Sequence, residues 1–395
     1  MHDNILDNFA KFPENNLEKI VSLFSNKDID VNEIFKLANI LADSGENIND
    51  LKIFNTADIP STGGPGSLTT LLCPLYLVNN GYTVIKLGIP GRPSGGIDAL
   101  SQIENYQIEY NTSELKRILS VCNYIHFLTN NVFAPLDGAL YAYRKSTGNV
   151  NVPNLAIASL LSKKIAMGIK NLGLDVRVWS GGNFGKSFNE ARLFSNKFIR
   201  VANMAGINAK CFLSDASQPS QPYIGRGESL IAIYEILNNC ASQWLQEHNE
   251  YCRNISNYMK VDLSDKKSYD IKDIFIKNLE QQNSSYEKFI EKVNMVIEEP
   301  RYDIFSSEAG YCYYNLDYIR NHIVSEQDKM INKDLLFPDP CGYFLTKRPG
   351  NYVDAGEVIA SYRTNNPESV KYAKMMYFIE EKQRSINTNN NEVIQ

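Results

Sequence analysis

The sequence is poor in histidine and has no ordered cysteine pattern, and these shortages exclude the common protein metal sites. Its 395 residues include only four histidines, which are far apart, and seven cysteines without the spacing of a zinc site. Scattered cysteines in an odd number indicate reduced thiols, mostly buried, in a cytoplasmic protein. We therefore expect neither a bound metal nor a resident cofactor.

The sequence also lacks an excess of positive charge and a long hydrophobic run. Lys and Arg number 40 against 45 Asp and Glu, so the net charge is −5. There is thus no basic field to attract nucleic acid, and no segment of membrane-spanning length. The hydrophobic share of 43% and the charged share of 22% are typical of globular proteins. At this length two or three domains are expected.

A glycine-rich turn organises the N-terminal half of the chain. It follows an extended stretch at 53–60, precedes an apolar helix at 68–80, and reads Ser61-Thr62-Gly63-Gly64-Pro65-Gly66-Ser67. Such a turn presents backbone N–H groups at a helix N-terminus, where an anion is favoured. The alternative is a strand-to-helix turn without a ligand, because glycine-rich turns are common.

A second strand, glycine loop and helix follow at 82–87, 88–96 and from about 98. Two such units in succession predict a parallel α/β sheet, in which ligands bind beyond the carboxyl ends of the strands. Further apolar segments predict strands at 123–128, 175–179 and 209–213, and helices at 17–24, 31–41, 135–170, 188–205, 227–238 and 260–298. Short Tyr-rich segments after residue 301 predict a small β-rich domain.

Three side chains predict a ligand site on the helical segment 135–170. Ser159 and Lys163 are four residues apart and share a helix face, and Arg144 lies on the preceding helix. Two cations and a hydroxyl are suited to the carbonyl oxygens of a flat heterocycle and to negative charge on that ring. By spacing alone, a solvated basic helix edge explains the same pattern.

Several motifs in order resemble the thymidine/pyrimidine-nucleoside phosphorylase family, which is related to anthranilate phosphoribosyltransferase. The resemblance spans residues 30–380 and is densest from 58 to 215. Its signature Asp-Lys-His-Ser-Thr-Gly-Gly-Val-Gly-Asp matches 58–67, its Leu-Ala-Pro-Ala-Asp matches 133–137, and its Asp-Val-Lys-Val-Gly-Ser-Gly-Ala-Phe matches 175–184. The family's base-binding Arg, Ser and Lys fall on Arg144, Ser159 and Lys163 without a gap.

The resemblance implies a helical domain hinged to an α/β domain that has a mixed or parallel sheet, with a small β-rich C-terminal domain. We expect the helical domain at 1–54 and 134–169, the α/β domain at 55–133 and 170–300, the C-terminal domain at 301–384, and a disordered tail at 385–395. The ligand cleft lies between the first two domains, and hinges are expected near 53–58, 129–135 and 170–174. The family's helical dimer interface implies a homodimer, although the first helical hairpin is shortened here.

The resemblance also implies which residues form the site. The expected catalytic residues are Arg144, Lys163 and Asp137, and the expected base-binding residues are Arg144, Ser159 and Lys163. The expected phosphate-binding residues are Ser61, Thr62, Gly64, Thr70, Lys86 and Ser94.

The phosphate half of the site departs from the family pattern. Ile59 replaces a phosphate-binding Lys, Pro60 replaces a His and Ser67 replaces an Asp, and Lys86 or Arg92 is expected to restore the positive charge.

Three functions remain open at this point. The first is pentosyl transfer at the N-glycosidic bond of pyrimidine nucleosides, with phosphate as a possible co-substrate and ordinary thymidine phosphorolysis weak. The second is a biosynthetic pentosyltransferase or a nucleoside hydrolase with another acceptor. The third is a non-catalytic protein that binds pyrimidine nucleosides. All three have small-molecule ligands and none involves nucleic acid or a membrane.

Overall fold

The computed structural model describes residues 2–48, 53–91, 93–129, 132–260, 270–331, 337–384 and 392–395. Arg92, proposed above as a source of positive charge, lies outside these residues, as do residues 261–269 of the helix predicted at 260–298. The helices are α1 (His2–Lys11), α2 (Leu17–Phe24), α3 (Val31–Ala42), α4 (Thr69–Asn79), α5 (Gly96–Leu100), α6 (Thr112–Val121), α7 (Pro135–Ser146), α8 (Pro153–Ala166), α9 (Phe188–Met204), α10 (Arg226–Leu237), α11 (Gln243–Asn257), α12 (Ile271–Gln281), α13 (Tyr286–Glu298), α14 (Leu316–Met330) and α15 (Val370–Ala373).

The strands form one large sheet and two small ones. They are β1 (Thr56–Asp58), β2 (Thr83–Gly88), β3 (Tyr124–Leu128), β4 (Asn171–Val178), β5 (Asn208–Asp215), β6 (Tyr223–Ile224), β7 (Arg301–Phe305), β8 (Gly310–Tyr314), β9 (Cys341–Leu345), β10 (Tyr352–Val353), β11 (Val358–Thr364), β12 (Tyr377–Glu380) and β13 (Glu392–Ile394). The large sheet has the order β13-β5-β4-β1-β2-β3 and is parallel except for β13. The two small sheets, β10-β8-β12 and β6-β9-β11-β7, are antiparallel.

Local sequence signals explain where the helices near the cleft begin. Asp30 and Glu33 form a capping box at the start of α3, and Asn111 and Glu114 form another at the start of α6. Helices α7 and α8 each begin with a proline, which has no N–H group to leave unsatisfied at that position. The segment predicted as helical at 135–170 therefore consists of two helices joined by a loop at 147–152.

Three hydrophobic clusters hold the fold together. The first joins α1–α3, α7 and α8 to α9 and to one face of the large sheet, and the second packs α4 and α10–α13 against the other face. The third lies between the two small sheets and α14. Because the first cluster is continuous from the helices to the sheet, the helical segments rest directly on the strands that end at the cleft.

The predicted fold class is confirmed: helices surround a mainly parallel sheet, and a small antiparallel unit follows at the C-terminus. The expected domain limits and hinges stay predictions. The tail prediction is wrong for part of its range, because 392–394 form β13, which pairs with the exposed edge of β5. The helix expected from about 98 spans only Gly96–Leu100, and the strand expected at 175–179 begins earlier, at Asn171.

The prediction of free, mostly buried thiols is confirmed. All seven cysteines are free thiols, and six of them are buried. Within the described ranges no helix is both long and apolar enough to cross a membrane.

Candidate active site

A cleft lies beyond the carboxyl ends of β1, β2 and β3, where these strands face α7 and α8. Its cavity volume is about 140 Å³. Since about 10–15 Å³ of such space accommodates one water, the cleft has room for a ligand of the order of ten non-hydrogen atoms. The polar side chains that line it are Asp58, Ser61, Thr62, Thr70, Lys86, Asp98, His126, Tyr141, Arg144, Ser159, Lys163, Lys164 and Asn183.

The helical wall of the cleft carries the three side chains predicted to bind a base. The Lys163 Nζ atom lies 2.5 Å from Asp137 Oδ2 and 3.2 Å from Ser159 Oγ, and it also donates to the Ser159 carbonyl. Arg144 donates to the carbonyl oxygens of Asn149 and Val150 at 3.2 and 2.6 Å. Lysine and arginine are therefore held in place by the protein before any ligand is present.

A buried cluster of two lysines and one aspartate lies where the sheet wall meets α8. The two carboxylate oxygens of Asp58 lie 2.6 Å from Lys86 Nζ and 2.5 Å from Lys164 Nζ. Lys86 also donates to the Ile59 carbonyl at 3.1 Å. With one carboxylate for two ammonium groups, the cluster of Asp58, Lys86 and Lys164 has a net charge of +1 and faces the cleft.

The pKa values in this cluster follow from burial and charge. Burial opposes ionisation of Asp58, but Lys164 and Lys86 together lower its pKa to about 2. Burial lowers the pKa of Lys164, and the Asp58 carboxylate counteracts that shift. The carboxylate therefore stays ionised at neutral pH and offsets part of the cost of burying Lys164.

A buried histidine lies beside this cluster. His126 on β3 is paired in register with Lys86 on β2, and both line the cleft. Burial, with the nearby Lys86 charge, lowers the pKa of His126 well below its ordinary value, so the ring is neutral at pH 7. A Cβ atom on Gly96 would lie 2.8 Å from the His126 ring and 3.0 Å from Thr70 Oγ1, so only glycine fits between them.

Several amides of the glycine loop already have hydrogen-bond acceptors within the protein. Among its amides, Leu68 donates to His248 Nε2 at 3.0 Å and Thr69 donates to Ser67 Oγ, while Gly63 donates to Ser61 Oγ at 3.2 Å. These three amides are thus satisfied by the protein itself, and anion binding by the rest of the loop stays a prediction. Burial and a neighbouring arginine lower the pKa of His248 to about 3, so that its ring accepts the Leu68 N–H as a neutral imidazole.

Ile59 does not line the cleft, although the resemblance places a phosphate-binding lysine at its position. Its side chain is fully buried in the second hydrophobic cluster and packs against Gly173 on β4. Ile59 therefore contributes its carbonyl oxygen to Lys86, and its side chain does not line the cleft.

Most of the predicted site residues come together in the cleft. Ser61, Thr62, Thr70, Lys86, Arg144, Ser159 and Lys163 line it. Asp137 lies behind Lys163, and its second carboxylate oxygen is buried without a hydrogen-bond partner among the described residues. Gly64 and Ser94 are not among the lining residues, and Gly64 instead faces Arg177 and Trp179.

The sequence interpretation missed Asp58, His126 and Lys164. Lys164 was visible only as a second lysine directly after Lys163, within an otherwise apolar helix. Two charged residues in succession on a buried helix signal that both have partners, because unpaired charges are rarely buried. Asp58 ends the strand before the glycine loop and was the natural partner to test.

The chain is similar over part of its length to curated proteins named pyrimidine-nucleoside phosphorylase, which confirms the resemblance drawn from the motifs. The relative from Staphylococcus epidermidis is 32% identical over 209 residues, which cover 52% of this chain and 48% of the relative. The relative from Staphylococcus haemolyticus is 30% identical over 225 residues, covering 56% and 52%. The relative from Staphylococcus aureus is 27% identical over 263 residues, covering 65% and 59%.

These matches are partial, since the chain spans about half the length of the first curated relatives. No protein-family model matches the chain. Among solved structures, anthranilate phosphoribosyltransferase from Thermus thermophilus aligns with a TM-score of 0.48 and 13% identity, covering 73% of this chain and 98% of that chain.

Proposed function

We propose that the chain is a pentosyltransferase that acts on the N-glycosidic bond of pyrimidine nucleosides. The observation that carries the proposal is the meeting, in one cleft, of Arg144, Ser159 and Lys163 on the helical wall with a second set of cations. That set is Lys86 on the sheet wall and Lys164, which reaches from α8 to Asp58. A heterocycle and an anion bound on these two walls would lie on either side of a sugar. The similarity to proteins named pyrimidine-nucleoside phosphorylase supports this choice of substrate.

The helical wall is suited to a pyrimidine that leaves with its bonding electron pair. As the bond from the sugar to the ring nitrogen breaks, negative charge develops on the ring and spreads to its carbonyl oxygens. Arg144 and Lys163 stabilise that charge, and Ser159 adds a hydroxyl donor. Asp137 holds Lys163 Nζ at 2.5 Å and so fixes the direction of its remaining contacts.

The sheet wall is suited to an anion that attacks the sugar. Lys86 and Lys164 supply the positive charge, while Thr70 and Ser61 supply hydroxyl donors. With phosphate there, one of its oxygens bonds to the anomeric carbon as the base departs, and the sugar passes through an oxocarbenium-like transition state. Catalysis then depends on position and electrostatics. Lys86 and Lys164 take the place of the charge that the family places at the position of Ile59.

In a second candidate function, the helical wall still binds the base, but the acceptor of the sugar is different. Its supporting observation is that Asp58 already accepts from both lysines, which leaves a net charge of +1 for an incoming dianion. Water or another nucleophile needs no such charge. Nucleoside hydrolysis or transfer to a non-phosphate acceptor is therefore the alternative, and we expect phosphorolysis of thymidine to be weak. The homodimer and the cytoplasmic location stay predictions.

Isothermal calorimetry with uracil, thymine and their nucleosides tests whether the helical wall binds a pyrimidine. A matched pair on α8 serves as probe and control: Ser159 lines the cleft, while Ser162 donates to the Ser159 carbonyl and does not line it. We expect Ser159→Ala to weaken base binding about 2- to 12-fold, which corresponds to one neutral hydrogen bond, and Ser162→Ala to leave it unchanged. A wild-type protein that binds none of these ligands would overturn the proposal.

A further inference from the structure

His126 is a polar residue of the cleft to which the proposed function gives no role. It lies on β3, is 2% exposed, and lines the cleft together with Lys86 and Thr70. Strands β2 and β3 run parallel with Lys86 opposite His126, so the two side chains leave the sheet on the same face. The histidine ring therefore stands beside the lysine that is expected to bind the anion.

Two glycines border the edge of the His126 ring that carries Nε2 and Cε1. A Cβ atom on Gly88 would lie 3.7 Å from Nε2, and one on Gly96 would lie 2.8 Å from Cε1. Both glycines line the cleft, and neither has a side chain to cover this edge. Within the described part of the chain, the ring has a hydrogen bond at Nδ1 alone, so Nε2 is left for a ligand in the cleft.

Tyr124 determines which nitrogen of this ring carries the proton. Its side chain is buried, and its hydroxyl lies 3.2 Å from His126 Nδ1, with no other partner among the described residues. If Nδ1 were the donor, the hydroxyl hydrogen would be buried without an acceptor, which is costly. The hydroxyl therefore donates to Nδ1. Because burial and the Lys86 charge keep the pKa of His126 well below its ordinary value, the neutral ring has its one hydrogen on Nε2.

We propose that His126 is a further binding residue of the anion site and donates a hydrogen bond from Nε2 to an oxygen of phosphate. The inference rests on the part of the proposed function that places phosphate beside Lys86, and it goes beyond the residues that the resemblance implies. A neutral donor binds an anion without placing a third buried cation next to Lys86 and Lys164. Since Nε2 already holds a proton, it is unable to accept one from water, so His126 favours phosphate over base-catalysed hydrolysis.

Nuclear magnetic resonance of the protein with isotope-labelled histidine tests the tautomer, because the chain has only four histidines. The signals of His126 are those that disappear in His126→Gln. We expect a protonated Nε2 and an unprotonated Nδ1 in the wild type, and a shift of the Nε2 signal when inorganic phosphate is added. Tyr124→Phe should give a mixture of both tautomers. The control is Tyr82→Phe, which removes another buried hydroxyl, donated to the Met259 carbonyl, and should leave the tautomer unchanged.

Isothermal calorimetry with inorganic phosphate measures the contribution of the Nε2 donor. His126→Met removes the donor but keeps a side chain of similar length, and it should weaken phosphate binding about 10- to 150-fold, as expected for a hydrogen bond to a charged group. His126→Gln, whose amide still donates, should recover part of the affinity. The resonance measurement needs only the wild type and His126→Gln, so the inference stays testable if His126→Met does not fold.

Three outcomes overturn the inference: a wild-type ring protonated on Nδ1, an Nε2 signal that phosphate does not shift, and equal phosphate affinity of the wild type and a folded His126→Met protein. Titration with uracil is carried out separately on the same proteins. Phosphate binding that depends on His126 without any uracil binding would support this inference and contradict the proposed function. Binding of both ligands without any effect of His126 would do the reverse.

Discussion

Removal of the Asp58 carboxylate should lower stability and strengthen anion binding at the same time. Asp58→Asn keeps the size of the side chain but leaves Lys86 and Lys164 buried side by side, with side-chain exposures of 5% and 2%. The net charge of the cluster rises from +1 to +2. A phosphate ion would then restore part of what the carboxylate supplied.

Two estimates give the size of the loss. The pKa of Asp58 falls from 3.8 to about 2 on folding, and at about 1.4 kcal/mol per unit the ionised form contributes about 2.5 kcal/mol. Breaking a buried ion pair by removing one partner typically costs about 3–5 kcal/mol. We therefore expect the free energy of unfolding to fall by about 2–5 kcal/mol. The loss should narrow as the pH rises, because one lysine can then lose its proton.

Urea denaturation at neutral pH, with and without phosphate, measures both effects. The matched control is Asp303→Asn, since Asp303 is exposed on β7. Phosphate should raise the stability of Asp58→Asn more than that of the wild type, through its stronger binding to the folded state. The reasoning is refuted if Asp58→Asn and Asp303→Asn are equally stable, or if phosphate stabilises the wild type more than Asp58→Asn.

Three further predictions concern the surroundings of the cleft. The pKa of His248 is about 3 in the folded protein against an ordinary value of 6.5, so the unfolded chain binds a proton first as the pH falls. The free energy of unfolding therefore decreases as the pH is lowered below 6.5. This histidine should account for about 2 kcal/mol of the loss between pH 7 and pH 5, and His248→Gln, which keeps an acceptor for Leu68, should remove that share in denaturation curves. Gly96→Ala should destabilise the protein by about 1–3 kcal/mol through overpacking against Thr70 and His126, as thermal unfolding will show. Small-angle scattering should detect closure of the cleft on ligand binding, and an unchanged profile would count against the hinges.

The sequence predicted the parallel sheet because its signals are local. Each glycine loop follows an apolar segment and precedes a helix, and this order repeats, so that the carboxyl ends of β1 and β2 are brought to one edge. The helical wall was predictable for a similar reason, since Ser159 and Lys163 are one helical turn apart. Spacing within a helix survives in any tertiary arrangement.

The cluster of Asp58, Lys86 and Lys164 was not predictable in the same detail, because it depends on contacts between distant segments. Asp58 and Lys164 are 106 positions apart and meet only when α8 packs over the end of β1. Packing against Gly173 likewise determines that the Ile59 side chain lies outside the cleft. Its replacement of a lysine in the sequence pattern therefore says less about the cleft than the motif suggested.

The position of β13 shows the same limit at the C-terminus. The Asn-rich composition before it predicts disorder, while 392–394 complete the edge of the large sheet beside β5. A strand of this kind is stabilised by the sheet edge it covers. Its own sequence carries little signal.

Diffraction from crystals soaked with phosphate and uracil tests the central claim most directly, because it shows which wall of the cleft each ligand occupies. The account predicts uracil between Arg144, Ser159 and Lys163, and phosphate within hydrogen-bonding distance of Lys86 and Lys164. Uracil that is absent at saturating concentration, or phosphate that avoids both lysines, would contradict it.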